Sequence, residues 1–326
     1  MDTPKVSIIT PMWNGAALVG ATIESVLAQT FTDWEMIVVD DASPDGGAGC
    51  RAVEEFSARD ARIRLIASKI NKGSSGARNE AMRVASGRYL AFLDSDDIWH
   101  PEYLRTMLSL IESDRTDNAA VYFCGYRRMD ESCVREILRP YSCEGVFGFR
   151  RLLRHCPIFP SAAVLDTGRL RERVFFREEL RAVRDDYAFW LDIARQGLCA
   201  VGFPDILVDY RMRADSVTAS KRKMVRPQWR IYREVLRLGF LRSAFYMLCW
   251  ALNGVRKYSK TGFAGTRGGV QQYSIVREPL RTLSLNYHLI LRNPAVRNRT
   301  AFFYLSEFIL YSLLCQILSV CIPIAP

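Results

Sequence analysis

Between Val6 and Tyr126, short apolar runs alternate with stretches of helical period. Val6-Ser7-Ile8-Ile9-Thr10 is rich in β-branched residues and ends at Pro11, the pattern of a buried strand. Leu18 to Gln29 spaces Leu18, Ile23, Val26 and Leu27 as a helix does. Trp34 to Val39 reads as a second strand, closed by the turn-forming run Asp40-Asp41-Ala42-Ser43-Pro44-Asp45-Gly46-Gly47. Arg51 to Ala58 is helix-like, and Ile63 to Ala67 is a third strand. The loop Asn71-Lys72-Gly73-Ser74-Ser75-Gly76 leads into a helix expected from Ala77 to Ala85. Tyr89 to Leu93 is a fourth strand, Pro101 opens another helix at a position that tolerates proline, and Ala119 to Tyr126 is a fifth strand.

Strands that alternate with helices predict an α/β fold, a mostly parallel sheet with flanking helices. Ligands of such sheets lie beyond the carboxyl ends of the strands. Two acidic loops fall there: Asp40-Asp41 after the second strand and Asp94-Ser95-Asp96-Asp97 after the fourth. Arg139 to Gly168 is less regular and is expected to cover the open end of the sheet with mixed strands and loops. Asp185 to Gln196 reads as a helix with Phe189, Trp190 and Ile193 on its apolar side, and Asp209-Tyr210-Arg211 closes a short strand.

The acidic run after the fourth strand carries three carboxylates within four positions. Packed together they repel, and each raises the pKa of the others. A divalent cation removes that conflict, and Mg²⁺ or Mn²⁺ at carboxylates also binds substrate phosphates. A turn and helix cap ahead of Pro101 is the plainer alternative for the same residues.

Several segments, taken in order, resemble glycosyltransferase family 2. They are Val6-Ser7-Ile8-Ile9-Thr10-Pro11-Met12-Trp13-Asn14-Gly15, Ser25-Val26-Leu27-Ala28-Gln29-Thr30-Phe31 and Ile37-Val38-Val39-Asp40-Asp41-Ala42-Ser43. Asn71-Lys72-Gly73, Ala77-Arg78-Asn79 and Gly87-Arg88-Tyr89-Leu90-Ala91-Phe92-Leu93-Asp94-Ser95-Asp96-Asp97 continue the series. The resemblance spans residues 5–218 and implies a GT-A fold and an inverting, nucleotide-sugar-dependent transferase. It further implies that Pro11 and Trp13 lie against the nucleotide base and that Asp41 accepts a hydrogen bond from it. Arg78 would lie on the nucleotide side, Asp94 would face ribose and metal, and Asp96 would be the main ligand of Mn²⁺ or Mg²⁺. Arg184-Asp185-Asp186-Tyr187-Ala188-Phe189-Trp190 resembles the family's acidic pair, with Asp185 where a Glu is usual. Asp186 is the expected base for the acceptor hydroxyl, with Asp185 beside it; a helix cap is the alternative for both. His100 is read as a surface residue with the diphosphate in reach as the alternative, and Arg211 as a residue that closes over phosphate.

Composition then narrows the picture. The nine cysteines of the 326 residues are scattered without a C-x-x-C pair, which fits a reducing compartment. The first residues lack the pattern of a signal peptide, so a cytoplasmic protein is expected. The net charge of +10 is concentrated: seventeen Lys and Arg stand between Lys221 and Thr300 against two acids, Glu234 and Glu278. The chain accordingly divides into a catalytic domain, residues 1–220, and a basic helical extension, residues 221–326. Helices are expected over Gln228–Leu238 and Leu241–Leu252. The apolar run Phe302–Ile324, preceded by Arg292, Arg297 and Arg299, admits three readings: an amphipathic anchor on anionic lipid, a single span, or a helix packed on the protein or in a homodimer. An anionic surface at the inner face of the cytoplasmic membrane suits an acceptor that is a glycan or lipid-linked sugar.

The donor is expected to be a UDP-sugar, and the pathway one of bacterial polysaccharide or glycolipid biosynthesis. Two alternatives are a sugar nucleotidyltransferase and a basic nucleic-acid-binding protein. The first needs a Gly-rich basic loop where Pro11-Met12-Trp13-Asn14-Gly15 stands, and the second has no recognition motif. Gly265-Thr266-Arg267-Gly268-Gly269 lacks the strand and Lys-Ser/Thr of a phosphate loop. Gln228-Trp229-Arg230 has the wrong order for the processive-synthase signature, so addition of a single sugar is expected.

Overall fold

A computed structural model of the chain describes residues 3–180, 184–213 and 224–259. The apolar run at 302–324 and the glycine-rich stretch at 265–269 lie outside the described residues. The elements of the first half are β1 (Val6–Met12), α1 (Val19–Leu27), β2 (Trp34–Asp40), α2 (Ala48–Ser57), β3 (Ile63–Ala67), α3 (Gly73–Val84) and β4 (Tyr89–Phe92). They are followed by β5 (Ile98–Trp99), α4 (Tyr103–Ser113), β6 (Ala119–Met129), β7 (Glu136–Tyr141), β8 (Gly145–Phe147), α5 (Phe149–Arg154) and β9 (Ala163–Asp166). The remaining elements are α6 (Asp185–Arg195), β10 (Cys199–Arg211), α7 (Val225–Arg230), a π-turn at Ile231–Val235, and α8 (Phe240–Ser259).

One sheet carries the strands in the order β3-β2-β1-β4-β9-β6-β10-β5, with β7 added to β6 and β8 to β10. The first four strands are parallel, as their alternation with helices predicts. Beyond β4 the sheet is mixed: β9 enters antiparallel between β4 and β6, and β10 returns parallel to β6. β10 is a 13-residue strand rather than a short one, and its register shifts near Pro204 let it continue past a residue that cannot donate to the ladder.

Helices cover both faces, and consecutive strand residues enter opposite cores. Ile8, Met36 and Val38 pack with α1 and α4, while Ile9, Ile37 and Val39 pack with α3 and α6. The described part of the basic extension joins the second of these cores through Val225, Ile231, Tyr232, Leu236, Met247 and Ala251. Gly87 allows the chain to enter β4 close to β1, where a Cβ would stand 2.6 Å from the Ser7 amide nitrogen. α3 begins at Gly73, four positions before the expected start. The reason is remote: the Asp41 carboxylate accepts the Lys72 amide at 2.8 Å and so satisfies a donor at the helix start.

Candidate active site

The carboxyl ends of β1, β2 and β4 and the amino ends of α3 and α6 meet in one place. Arg78, on the first turns of α3, is the link. It is 5% exposed, and its Nη2 donates to Asp94 Oδ1 at 2.6 Å while Nη1 donates to Asp185 Oδ2 at 3.4 Å. Burial works against its charge, but Asp94 and Asp185 outweigh it and raise its pKa. The Asp185 oxygen also accepts the Ser75 hydroxyl at 2.7 Å and that of Ser74 at 3.4 Å. Asp185 is therefore a buried carboxylate whose Oδ2 fastens α6 to α3.

Asp186, the next residue, is half-buried, and its Oδ1 accepts the Tyr187 amide at 2.7 Å. Burial raises its pKa, opposed by Arg184 and aided by Asp185. A carboxylate raised in this way is a better proton acceptor near neutral pH. Arg184, just before the helix, holds φ at 63°, a conformation unusual for a residue with a Cβ, and its guanidinium lies 4.6 Å over the Tyr187 ring. Behind the pair, Phe176 stacks on Phe189 at 4.0 Å, and Phe92 of β4 meets Phe176, Phe189 and Trp190 edge-on. This aromatic cluster sets α6 against the strand that delivers the acidic loop.

That loop is held from several sides. The Thr22 hydroxyl donates to the carbonyls of Ser95 and Asp97. The Ser161 hydroxyl accepts the Asp94 amide and donates to the Asp97 carboxylate. Asp97 is 1% exposed and also accepts the Arg211 amide at 3.1 Å; burial, then Asp96 and Asp94, push its pKa well up. It is a structural anchor, and the site is left with Asp94 and Asp96. Asp96 has its pKa raised to about 6 by burial and by Asp94, with Arg213 3.8 Å away. One oxygen of Asp94 is taken by Arg78. The remaining oxygens of Asp94 and Asp96 are hard, crowded and negative, a donor set that fits Mg²⁺ or Mn²⁺. Among the described residues no three His, Cys, Asp or Glu side chains are grouped to hold an ion alone. An ion here would complete its shell from phosphate and water.

On the other side, Pro11 is buried near the end of β1, and Trp13 stands 57% exposed. Their loop is tied to the end of β2: the Asn14 amide donates to the Ser43 hydroxyl, and the Asp41 amide to the Met12 carbonyl. Asp41 is 2% exposed; burial raises its pKa against the hydrogen bonds from Lys72 and Gly73.

Two expectations change. His100 is not a free surface residue but is engaged by Asp209 and Arg127: its Nε2 lies 3.2 Å from Asp209 and 3.0 Å from Arg127 Nη2. Arg211 is turned to the acidic loop: Nε donates to the Asp96 carbonyl at 2.8 Å and Nη1 to the Glu131 carbonyl at 2.9 Å, so it shapes that loop. Ser75, Ser161, Phe176 and Arg184 were not singled out by sequence reasoning. For Ser75, the signal was a hydroxyl pair at the start of a helix; for the others there was none locally.

The family model described as glycosyl transferase family 2 matches residues 7–171. TuaG of Bacillus subtilis, named for teichuronic acid biosynthesis, is 32% identical over 260 residues, 78% of this chain and 97% of that protein. WfgD of Escherichia coli, named as a UDP-Glc:α-D-GlcNAc-diphosphoundecaprenol β-1,3-glucosyltransferase, is 33% identical over 261 residues, 79% of this chain and 97% of its own. Among solved structures, a mannosyltransferase of Pyrobaculum calidifontis in complex with GDP-Man and Mn²⁺ superposes with a TM-score of 0.56 at 18% identity, covering 98% of this chain and 88% of that one, and shares the fold. The order of the acidic loops, the sheet and these relatives agree: the chain belongs to glycosyl transferase family 2 and is a glycosyltransferase.

Proposed function

We propose that this glycosyltransferase moves one sugar from a UDP-sugar to a hydroxyl of a lipid-linked sugar at the cytoplasmic side of the membrane, with inversion at the sugar carbon, in bacterial polysaccharide or glycolipid assembly. The observation that carries the reading is Arg78, which brings the loop of Asp94 and Asp96 and the helix of Asp185 and Asp186 into one site. WfgD, by its name, uses UDP-Glc and a diphosphoundecaprenol-linked sugar, and that supports the choice of donor and acceptor class.

In this reading Trp13, with Pro11 behind it, receives the base, and Asp41 fixes the loop beneath it. Asp94 and Asp96 hold Mn²⁺ or Mg²⁺, which when bound stabilises negative charge on the departing diphosphate. Asp186 takes the proton of the acceptor hydroxyl as its oxygen bonds to the sugar carbon and the bond to UDP breaks. Asp185 and Ser75 keep α6 in place for that transfer. Residues 1–220 supply the chemistry, and residues 221–326 form the basic extension, whose first helices dock on the catalytic core.

Thermal unfolding with UDP, GDP, CDP, dTDP or ATP, each with Mn²⁺, Mg²⁺ or EDTA, tests the donor side. A ligand at a hundredfold excess over its Kd stabilises the native state by about 2.7 kcal/mol. UDP with a divalent ion is expected to raise Tm, and EDTA or Asp96→Ala to abolish the rise. A rise with another nucleotide alone would replace the donor, and no rise with any pair would remove the reading.

A further inference from the structure

Helix α8 is apolar on two opposite faces. Ser243, Met247 and Ala251 point into the core, as an amphipathic helix requires. The opposite side should then be polar, yet Leu241, Phe245, Leu248 and Leu252 are 82%, 50%, 47% and 49% exposed. At 3.6 residues per turn these four fall within roughly 60° of arc, one straight stripe about 16 Å long. Scattered exposed leucines are ordinary; an aligned row is not.

The surroundings of the stripe are cationic. Arg154, at the end of α5, sets its guanidinium 5.9 Å over the Phe245 ring, and its carbonyl accepts the Asn253 side chain, so α5 lies alongside α8. Arg154 and Arg242, the latter on α8 itself, are exposed, and neither forms an ion pair among the described residues. No Asp or Glu occurs between Glu234 and Glu278. An apolar stripe beside unpaired arginines is complementary to a bilayer with anionic headgroups: the leucines and phenylalanine enter the acyl boundary, and the arginines meet phosphate. A second copy of the chain would bring the same arginines against one another, which disfavours a symmetric contact through this face.

We infer that the outer face of α8, with Arg154 and Arg242, is the surface by which the enzyme docks on an anionic membrane. The inference rests on the lipid-linked-acceptor reading for its purpose, and it gives that reading a geometry. The Tyr187 hydroxyl of α6 donates to the Leu152 carbonyl of α5, and the Tyr232 hydroxyl to that of Leu153. One layer of helices therefore joins the docking face to the helix that carries Asp186.

The test is flotation of the full-length protein with vesicles of phosphatidylcholine alone or mixed with phosphatidylglycerol. The wild type is expected to float with the anionic vesicles, less so as salt is raised. L241Q/F245Q/L248Q/L252Q is expected to remain at the bottom, with Tm and the UDP response unchanged because the four side chains face outward. R154Q/R242Q is expected to lower partitioning into anionic vesicles by roughly 10–30-fold and to leave neutral vesicles unaffected. Flotation of the quadruple variant equal to that of the wild type would overturn the inference by locating the contact elsewhere in the chain. A wild type that ignores both vesicles would overturn it too, and a dimer that the quadruple variant dissociates would assign the stripe to a second copy. The UDP response is read separately, so a failure of docking is distinct from a failure of the transferase reading.

Discussion

The two halves of the sheet are built on different plans. In the parallel half, β3-β2-β1-β4, the first three strands of the chain are each followed by a helix, and the loops that carry Trp13, Asp41 and Asp94 at the carboxyl ends come from fewer than a hundred residues. Glu35 braces this half from beneath, accepting the Ser7 and Ser86 hydroxyls, the Ser86 amide and Arg64. In the other half, β9, β6 and β10 come from distant segments, run in both directions and are joined to the first half by the β4–β9 ladder, while an aromatic cluster and Arg78 fasten α6 across the same seam. In the proposed reading the first serves as a platform for the nucleotide, whose shape is constant, and the second as a cover that delivers Asp186 and faces the acceptor, whose shape varies. Such a separation would let one fold serve many acceptors.

The comparison is sharpest at Asp186. Asp186→Asn is expected to lower transfer about 10²–10⁴-fold while the UDP-dependent rise in Tm persists, because the residue belongs to the acceptor half. Loss of the UDP response in parallel would break the division. In the wild type, the acid limb of kcat/KM against pH is expected above the ordinary carboxylate range, as burial raises Asp186. Arg78→Met tests the joint itself. It leaves Asp185 buried without its ion-pair partner and is expected to cost about 3–5 kcal/mol in urea unfolding; an unchanged midpoint would show that the β4–β9 ladder and the aromatic cluster hold the halves together without it.

Glu35→Gln tests the platform. Burial pushes Glu35 up, but hydrogen bonds from Ser86 and Ser7 and the charge of Arg64 hold its pKa below the usual value. Its stabilisation is therefore present above that usual value and fades as pH falls through the depressed one. The variant is expected to lose about 1–3 kcal/mol at neutral pH and to unfold with a shallower dependence on acid. Equal acid sensitivity in both proteins would place the titrating group elsewhere. At Trp13 the effect is expected on binding alone. Removing an exposed ring leaves Tm alone, and loss of base stacking weakens UDP binding by about 1–3 kcal/mol in calorimetry. Unaltered affinity would move the base away from this loop.

The same division governs what can be read from the chain as letters. The strands of the platform and the loops with Asp41, Asp94 and Asp96 follow from local apolar runs and the polar residues at their ends. The roles within Asp94-Ser95-Asp96-Asp97 do not, because only Ser161 and Arg211, 64 and 114 positions away, make Asp97 an anchor. The start of α3 was hidden for a like reason, its cap coming from Asp41 in another loop. The antiparallel entry of β9 depends on the path of a long connection, and no periodicity records direction. Asp185 looked like half of a catalytic pair, and its engagement with Ser75 and Arg78 became visible only once α3 and α6 were side by side.

Arg78 also sets a schedule for synthesis. Its second carboxylate, Asp185, lies 107 positions later in the chain. At about 5–20 residues per second, the ribosome delivers it roughly 5–20 s after Arg78. During that interval the nascent platform holds a guanidinium with one partner and an uncovered apolar face where α6 will sit. The catalytic unit is therefore complete only once α6 has docked, and a chain interrupted before α6 leaves that apolar face exposed, the condition under which nascent chains aggregate.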